Sequence, residues 1–185
     1  MPCGVYYLLA SAERIHHGQP SMRGDPVKSD ILKVPKRLKA VTLWVHPEGR
    51  VRGSLFLREH SPDHAGPEQP IEVLNQCNPF VVIQRDEPEE VRFYNMRSII
   101  RVEYAVQDDD IRVEGPGMQC SLQMMDGALI HGTIHEQLPP ERARLLDYLN
   151  RSDECFIKVY LDDGLIFLVN KAYIIHVHVA GEHAD

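Results

Sequence analysis

The chain has 185 residues, 43% hydrophobic and 25% charged, with a formal net charge of −7. That composition supports a packed core and excludes disorder along most of the length. The negative charge opposes loose attraction to nucleic acid or to an anionic membrane.

No apolar run approaches the ~20 residues of a bilayer-spanning helix. Cys3, Cys77, Cys120 and Cys155 are scattered without a C-x-x-C pair, which disfavours zinc and redox motifs. The opening stretch from Val5 to Ala10 is too short for a signal-peptide core, and no basic residue precedes it. A cytoplasmic protein with free thiols is expected.

Residues 11–30 lack apolar periodicity and carry Gly18, Pro20, Gly24 and Pro26, so an irregular lead-in is expected over 1–30. The basic run Lys28, Lys33, Lys36, Arg37 and Lys39 is interrupted by Ile31, Leu32, Val34 and Leu38. It reads as the solvated side of a lead-in strand or helix.

A first β module is expected over residues 31–105. Val41 to Val45 alternate as a strand, Pro47-Glu48-Gly49 makes a turn, and Arg50 to Leu55 form a second strand carrying Gly53. The next segment, with Pro62, Gly66, Pro67 and Pro70, is mostly loop with one turn from Ile71 to Asn75. Strands then follow at Phe80–Ile83, Val91–Asn95 and Ile100–Glu103, the first two separated by the acidic turn Asp86-Glu87-Pro88-Glu89.

Residues 106–116 read as a connector, with Asp108-Asp109-Asp110, Gly115 and Pro116, and with Ile111-Arg112-Val113 as a short edge strand. A second module over 117–185 repeats the plan. Cys120 to Met124 are followed by the hairpin signal Asp126-Gly127 and by Leu129 to Ile134, which carries Gly132. A helix is expected from Pro139-Pro140 to Asn150, with Leu145, Leu146 and Leu149 as its apolar stripe. Phe156–Val159, the turn Asp162-Asp163-Gly164, Leu165–Asn170 and Ile175–His178 complete the series. The fold class is therefore mainly β with minor α: two tandem small β-barrel-like modules, each with a helix or loop insert between its second and third strands.

The order of strand, tight turn, glycine-bearing strand, central strand and Asn-terminated segment resembles the Sm-like small β-barrels, the group that includes bacterial Hfq. The run Phe167-Leu168-Val169-Asn170-Lys171-Ala172-Tyr173-Ile174-Ile175 is most similar to the last part of such a barrel. The resemblance implies the fold and, as one function, single-stranded RNA binding. The helix inside the module and the acidic total depart from the pattern, and no Sm-type RNA-contact signature stands at the strand turns.

Four histidines invite a metal reading. His131 and His135 share one face of a strand, as do His176 and His178, and imidazole suits zinc, copper or nickel. The alternation instead places Ile130, Gly132, Ile134, Ile175, Val177 and Val179 inward, leaving the histidines on a solvated face. Asp108–Asp110 and Asp162-Asp163 fall where turns are expected, and Cys155 reads as a small buried hydrophobe. Asn95 and Asn170 suit left-handed or turn backbone. Trp44 reads as core packing. No G-x-S-x-G, G-x-G-x-x-G or phosphate-loop motif occurs.

No catalytic residue, metal ligand or cofactor is assigned. The expected function is a non-enzymatic protein-interaction or regulatory module, its partner another protein or a second copy of itself, with neither nucleic acid nor membrane expected. The alternatives are an Sm-like RNA-binding protein and a metal-dependent enzyme using the histidines of the second module.

Overall fold

A computed structural model gives the fold of residues 36–76, 78–107, 117–135 and 145–179, the residues described below. Strand β1 (Lys36–Val45) turns into β2 (Gly49–Arg58). Helix α1 (Pro70–Leu74) follows, opened by a proline and by Glu72, whose carboxylate accepts the Gln69 N–H. Next come β3 (Phe80–Arg85), β4 (Glu90–Asn95), a 3-10 turn Met96–Ser98, and β5 (Ile99–Ala105).

The second half runs β6 (Gly117–Met124), β7 (Leu129–His135), α2 (Leu145–Leu149), β8 (Phe156–Tyr160), β9 (Leu165–Asn170), a 3-10 turn Lys171–Tyr173, and β10 (Ile174–Val179). The hairpin turns expected at Gly49 and Gly127 are present, and both glycines take a left-handed φ, +89° and +86°. The lead-in 1–30, the connector strand Ile111-Arg112-Val113 and the helix start at Pro139-Pro140 lie outside the described residues.

Among the described residues all pairings are antiparallel and form one ten-stranded sheet in the order β10-β6-β7-β8-β9-β5-β1-β2-β3-β4. The first five strands stand in the order β5-β1-β2-β3-β4, and the last five in the same permutation, β10-β6-β7-β8-β9. Two separately closed barrels, expected from the sequence, are not formed. The side of β5 that would have to meet β4 is taken by β9, so among the described residues the sheet stays open, with β4 and β10 at its ends.

Register matches as closely as order. Val41 faces Gly53 as Cys120 faces Gly132, and Ser54 faces Gln84 as Thr133 faces Tyr160. Val81 faces Tyr94 as Ile157 faces Val169, and Val102 faces Leu43 as Val177 faces Leu122. Even the register break recurs, between Trp44 and Val45 on β1 and between Ile174 and His176 on β10. The glycines expected at bends have a steric reason. A Cβ on Gly53 would lie 2.4 Å from the Gln84 carbonyl oxygen, and one on Gly132 would lie 2.6 Å from that of Tyr160. Only glycine lets the third strand approach this closely.

Two apolar clusters fill the fold. One gathers Leu43, Leu55, Ile83, Ile99 and Val102 with Phe156, Ile166 and Leu168 from the second half. The other gathers Leu122, Met124, Ile134, Ile157, Val159 and Val169 with Ile100 from the first. Alternate residues of β9 thus feed different cores: Ile166 and Leu168 one, Val169 the other. A strand covered on both faces needs apolar residues at successive positions, which is why β9 reads Leu-Ile-Phe-Leu-Val.

Three expectations are corrected. Lys39 is buried, its Nζ donating to Gln107 Oε1 at 2.7 Å and lying 5.1 Å from the Tyr104 ring, because its position on β1 shares the inward face with Val41; Leu38 is the exposed neighbour. Ile175 faces outward, since the register break on β10 falls beside it. In α2 the buried pair is Leu145 and Tyr148, while Leu146 is exposed. No helix among the described residues is long and apolar enough to cross a membrane.

Candidate functional site

The features with most chemical content are the inner junction of the sheet, where β5 meets β9, and its two outer ends. At the junction Arg101 faces Val169, Val102 faces Leu168, Glu103 faces Phe167 and Tyr104 faces Ile166. Side-chain amides clamp one end of this ladder, where β5 begins and β9 ends. Asn75, capping α1, accepts the N–H groups of Cys155 and Phe156 on Oδ1 (3.0 and 2.8 Å) and donates Nδ2 to the Phe156 carbonyl (3.0 Å). Buried Asn170 donates Nδ2 to the Ile99 carbonyl at 2.9 Å and to that of Met96 at 3.4 Å. Tyr173 donates its hydroxyl to the Arg97 carbonyl at 2.9 Å.

Arg101 adds a charged clamp. Its guanidinium binds Glu103 at 3.0 Å and Asp126, on the turn after β6, at 2.6 Å, and it lies 4.2 Å from the centre of the Trp44 ring. A nearly buried arginine is tolerated here because both carboxylates and an aromatic face replace its water. Trp44 packs against the second core as expected, half-buried, with the cation over its ring.

At the outer end, β4 carries the residues that match β9 in register, and they are exposed: Val91 at 47% and Phe93 at 63%, with Phe80 on β3 at 53%. Their matches Ile166, Leu168 and Phe156 are 0%, 0% and 1% exposed. At the opposite end Ile175 of β10 is 58% exposed, whereas its match on β5, Ile100, is 6% exposed. Beside β4, Glu48 binds Arg85 at 3.0 Å and Arg92 at 3.3 Å, and Glu90 also binds Arg92. Burial, and then the Glu48 carboxylate, push the Tyr94 phenol above its ordinary range.

A cleft of about 630 Å³ opens at one end of the junction, lined by Leu74, Asn95, Arg97, Cys155, Phe156 and Asn170 among others. Cys155 is exposed at its rim, contrary to expectation: it precedes β8, where it donates its N–H to Asn75, and the next residue, Phe156, is the one that enters the core. The asparagines expected to be structural are so: Asn95 Oδ1 accepts the Arg97 N–H at 2.9 Å, and Asn170 Oδ1 accepts that of Ala172 at 3.0 Å. Asp163 likewise holds its turn, accepting the Leu165 N–H at 3.1 Å.

The histidines are not gathered. His131 and His178 face Ser121 from the strands on either side of it, and His131 Nδ1 shares a 2.7 Å hydrogen bond with Ser121 Oγ. His135 packs edge-on against Tyr160, and His176 faces Gln123. Among the described residues no group of three or more His, Cys, Asp or Glu is placed to hold a metal. Sequence reasoning missed Asn75 and Arg101 as anchors, although the Leu-Asn that ends each insert was a usable signal for the first. Comparison with protein-family models, with curated proteins and with solved structures returns no match.

Proposed function

We propose that the chain is a tandem pair of small β modules, β1–β5 and β6–β10, that acts by binding through the strand edges at its two ends. The pairing supports the duplication: strand order, register, the crowded glycine and the Asn-capped turn before the last strand all recur. These are also the cues that carry the resemblance to the Sm-like group, and we extend the proposal to modules of that type. The observation that carries the function is the apolar exposure at the ends, Phe80, Val91 and Phe93 at one and Ile175 at the other. An unpaired strand with apolar side chains is a template for another strand.

The test compares material retained from native-host extract by wild-type chain and by a Phe93→Glu, Ile175→Glu double variant, with and without nuclease. Nuclease-resistant protein bound by wild type and lost in the variant supports strand-edge binding. Retention of RNA, equal for both and with all protein lost on nuclease treatment, favours RNA binding instead.

A further inference from the structure

We infer that the partner of these edges is a second copy of this chain, with β10 of one copy pairing antiparallel to β4 of the next in the register that β5 and β9 hold within the chain. This rests on the two-module reading and names its partner.

The inner junction is the template. β10 stands to β6 as β5 stands to β1, and β4 stands to β3 as β9 stands to β8, pair by pair. Carrying the inner ladder outward sets Val177 opposite Phe93, Val179 opposite Val91, His176 opposite Tyr94 and His178 opposite Arg92. Two of these four pairs are apolar on both sides, as a cross-strand contact favours.

Exposure follows the same map. Phe156, Ile166 and Leu168 cross the inner junction to complete the first core, and each is at most 1% exposed. Phe80, Val91 and Phe93 would complete the second core of a neighbouring copy, and each is now about half exposed or more (47–63%). In the reverse direction Ile100 enters the second core, and its exposed match Ile175 would enter the neighbour's first core. The polar clamps transfer as well. Asn150, exposed at the end of α2, stands where Asn75 stands after α1, and would take the backbone of the neighbour's Phe80. Asn95 spends its Oδ1 on the Arg97 N–H, as Asn170 does on Ala172, leaving Nδ2 for the neighbour's Ile174 carbonyl.

Because β4 and β10 are different strands, the contact is head-to-tail. Each added copy presents the next free edge, so the product is a ring or a fibre and not a two-fold dimer.

The experiment mixes two chains, one with Phe93→Cys and the other with Val177→Cys, each also carrying Cys3→Ser, Cys77→Ser and Cys155→Ser so that buried Cys120 is the one native thiol left, under mild oxidation. Opposed strand residues lie within disulfide reach. The expected result is a Phe93–Val177 disulfide between chains, mapped by mass spectrometry, that forms in the mixture and in neither chain alone. Sedimentation of wild type should give species heavier than the 21.1 kDa chain, and Phe93→Glu should return it to that mass with an unchanged circular dichroism spectrum. A wild-type chain that stays monomeric when concentrated, or disulfides that form equally in unmixed chains, overturns the inference. If wild type is monomeric yet the edge variant still loses a captured protein, this inference fails and the strand-edge reading stands. If neither self-association nor edge-dependent capture occurs, both fall.

Discussion

Asn75 and Phe156 are 81 positions apart, yet the Asn75 amide reads both backbone groups of Phe156, accepting its N–H at 2.8 Å and donating to its carbonyl at 3.0 Å. This one side chain ties the helix of the first half to the third strand of the second, and sets Phe156 into the first core. Asn75→Ala leaves the N–H groups of Cys155 and Phe156 and one carbonyl without partners. The expected cost is about 1–3 kcal/mol, read as a lowered urea midpoint with an unchanged slope. Asn150→Ala, exposed at the matching position, should cost less than about 0.5 kcal/mol in dilute protein.

Gly53 and Gly132 should resist the smallest change. A methyl group there meets a carbonyl oxygen 2.4 or 2.6 Å away, and backbone cannot step aside as a side chain can. Gly53→Ala and Gly132→Ala should each destabilise by about 1–3 kcal/mol in chemical denaturation. A loss of less than about 0.5 kcal/mol would show that the third strands do not approach so closely.

Arg101 and Trp44 give an optical test. Trp44 is the only tryptophan and its ring lies under the guanidinium. Arg101→Ala removes that cover and strands Asp126, so stability should fall by about 2–4 kcal/mol. The loss is smaller than for a fully enclosed pair because the Asp126 side chain keeps 21% of its exposure. Tryptophan emission should shift to the red. Arg101→Lys should not restore it, because an ammonium cannot serve two carboxylates and a ring face as a planar guanidinium does.

The buried Cys120 thiol gives a pH signature. Burial raises its pKa from an ordinary 9.0 to about 11. Between those values the unfolded chain releases a proton that the folded chain keeps, so stability is intact below pH 9 and falls as pH rises toward 11. The loss should approach roughly 2 kcal/mol, seen as a difference between wild type and Cys120→Ala across that window. At neutral pH an alkylating reagent should modify exposed Cys155 before Cys120, which should react only on unfolding.

Much of the strand plan was legible because its signals are local. Alternation marked the strands, Gly49 and Gly127 marked tight turns, and Asn95 and Asn170 sit where an amide can cap a short turn. The joining of the halves was not legible, since it depends on which strand occupies the free side of β5. The trace it left was compositional: β9 reads Leu-Ile-Phe-Leu-Val where β4 reads Glu-Val-Arg-Phe-Tyr. Two cores press on β9, whereas Arg92 and Phe93 of β4 face outward. Lys39 was read as solvated from its charge, although it alternates onto the face of Val41, because sequence does not reveal a partner such as Gln107; Ile175 was misread because strict alternation does not reveal a register break beside β6.

Hydrogen–deuterium exchange of the wild-type chain, followed in the β4 and β10 amides from dilute to concentrated protein, bears most directly on edge pairing. Head-to-tail assembly predicts that both strands become protected together as concentration rises, approaching the protection of β5 and β9, and that Phe93→Glu abolishes the change. Exchange in β4 and β10 that stays fast and independent of concentration, while β5 and β9 remain protected, would contradict it.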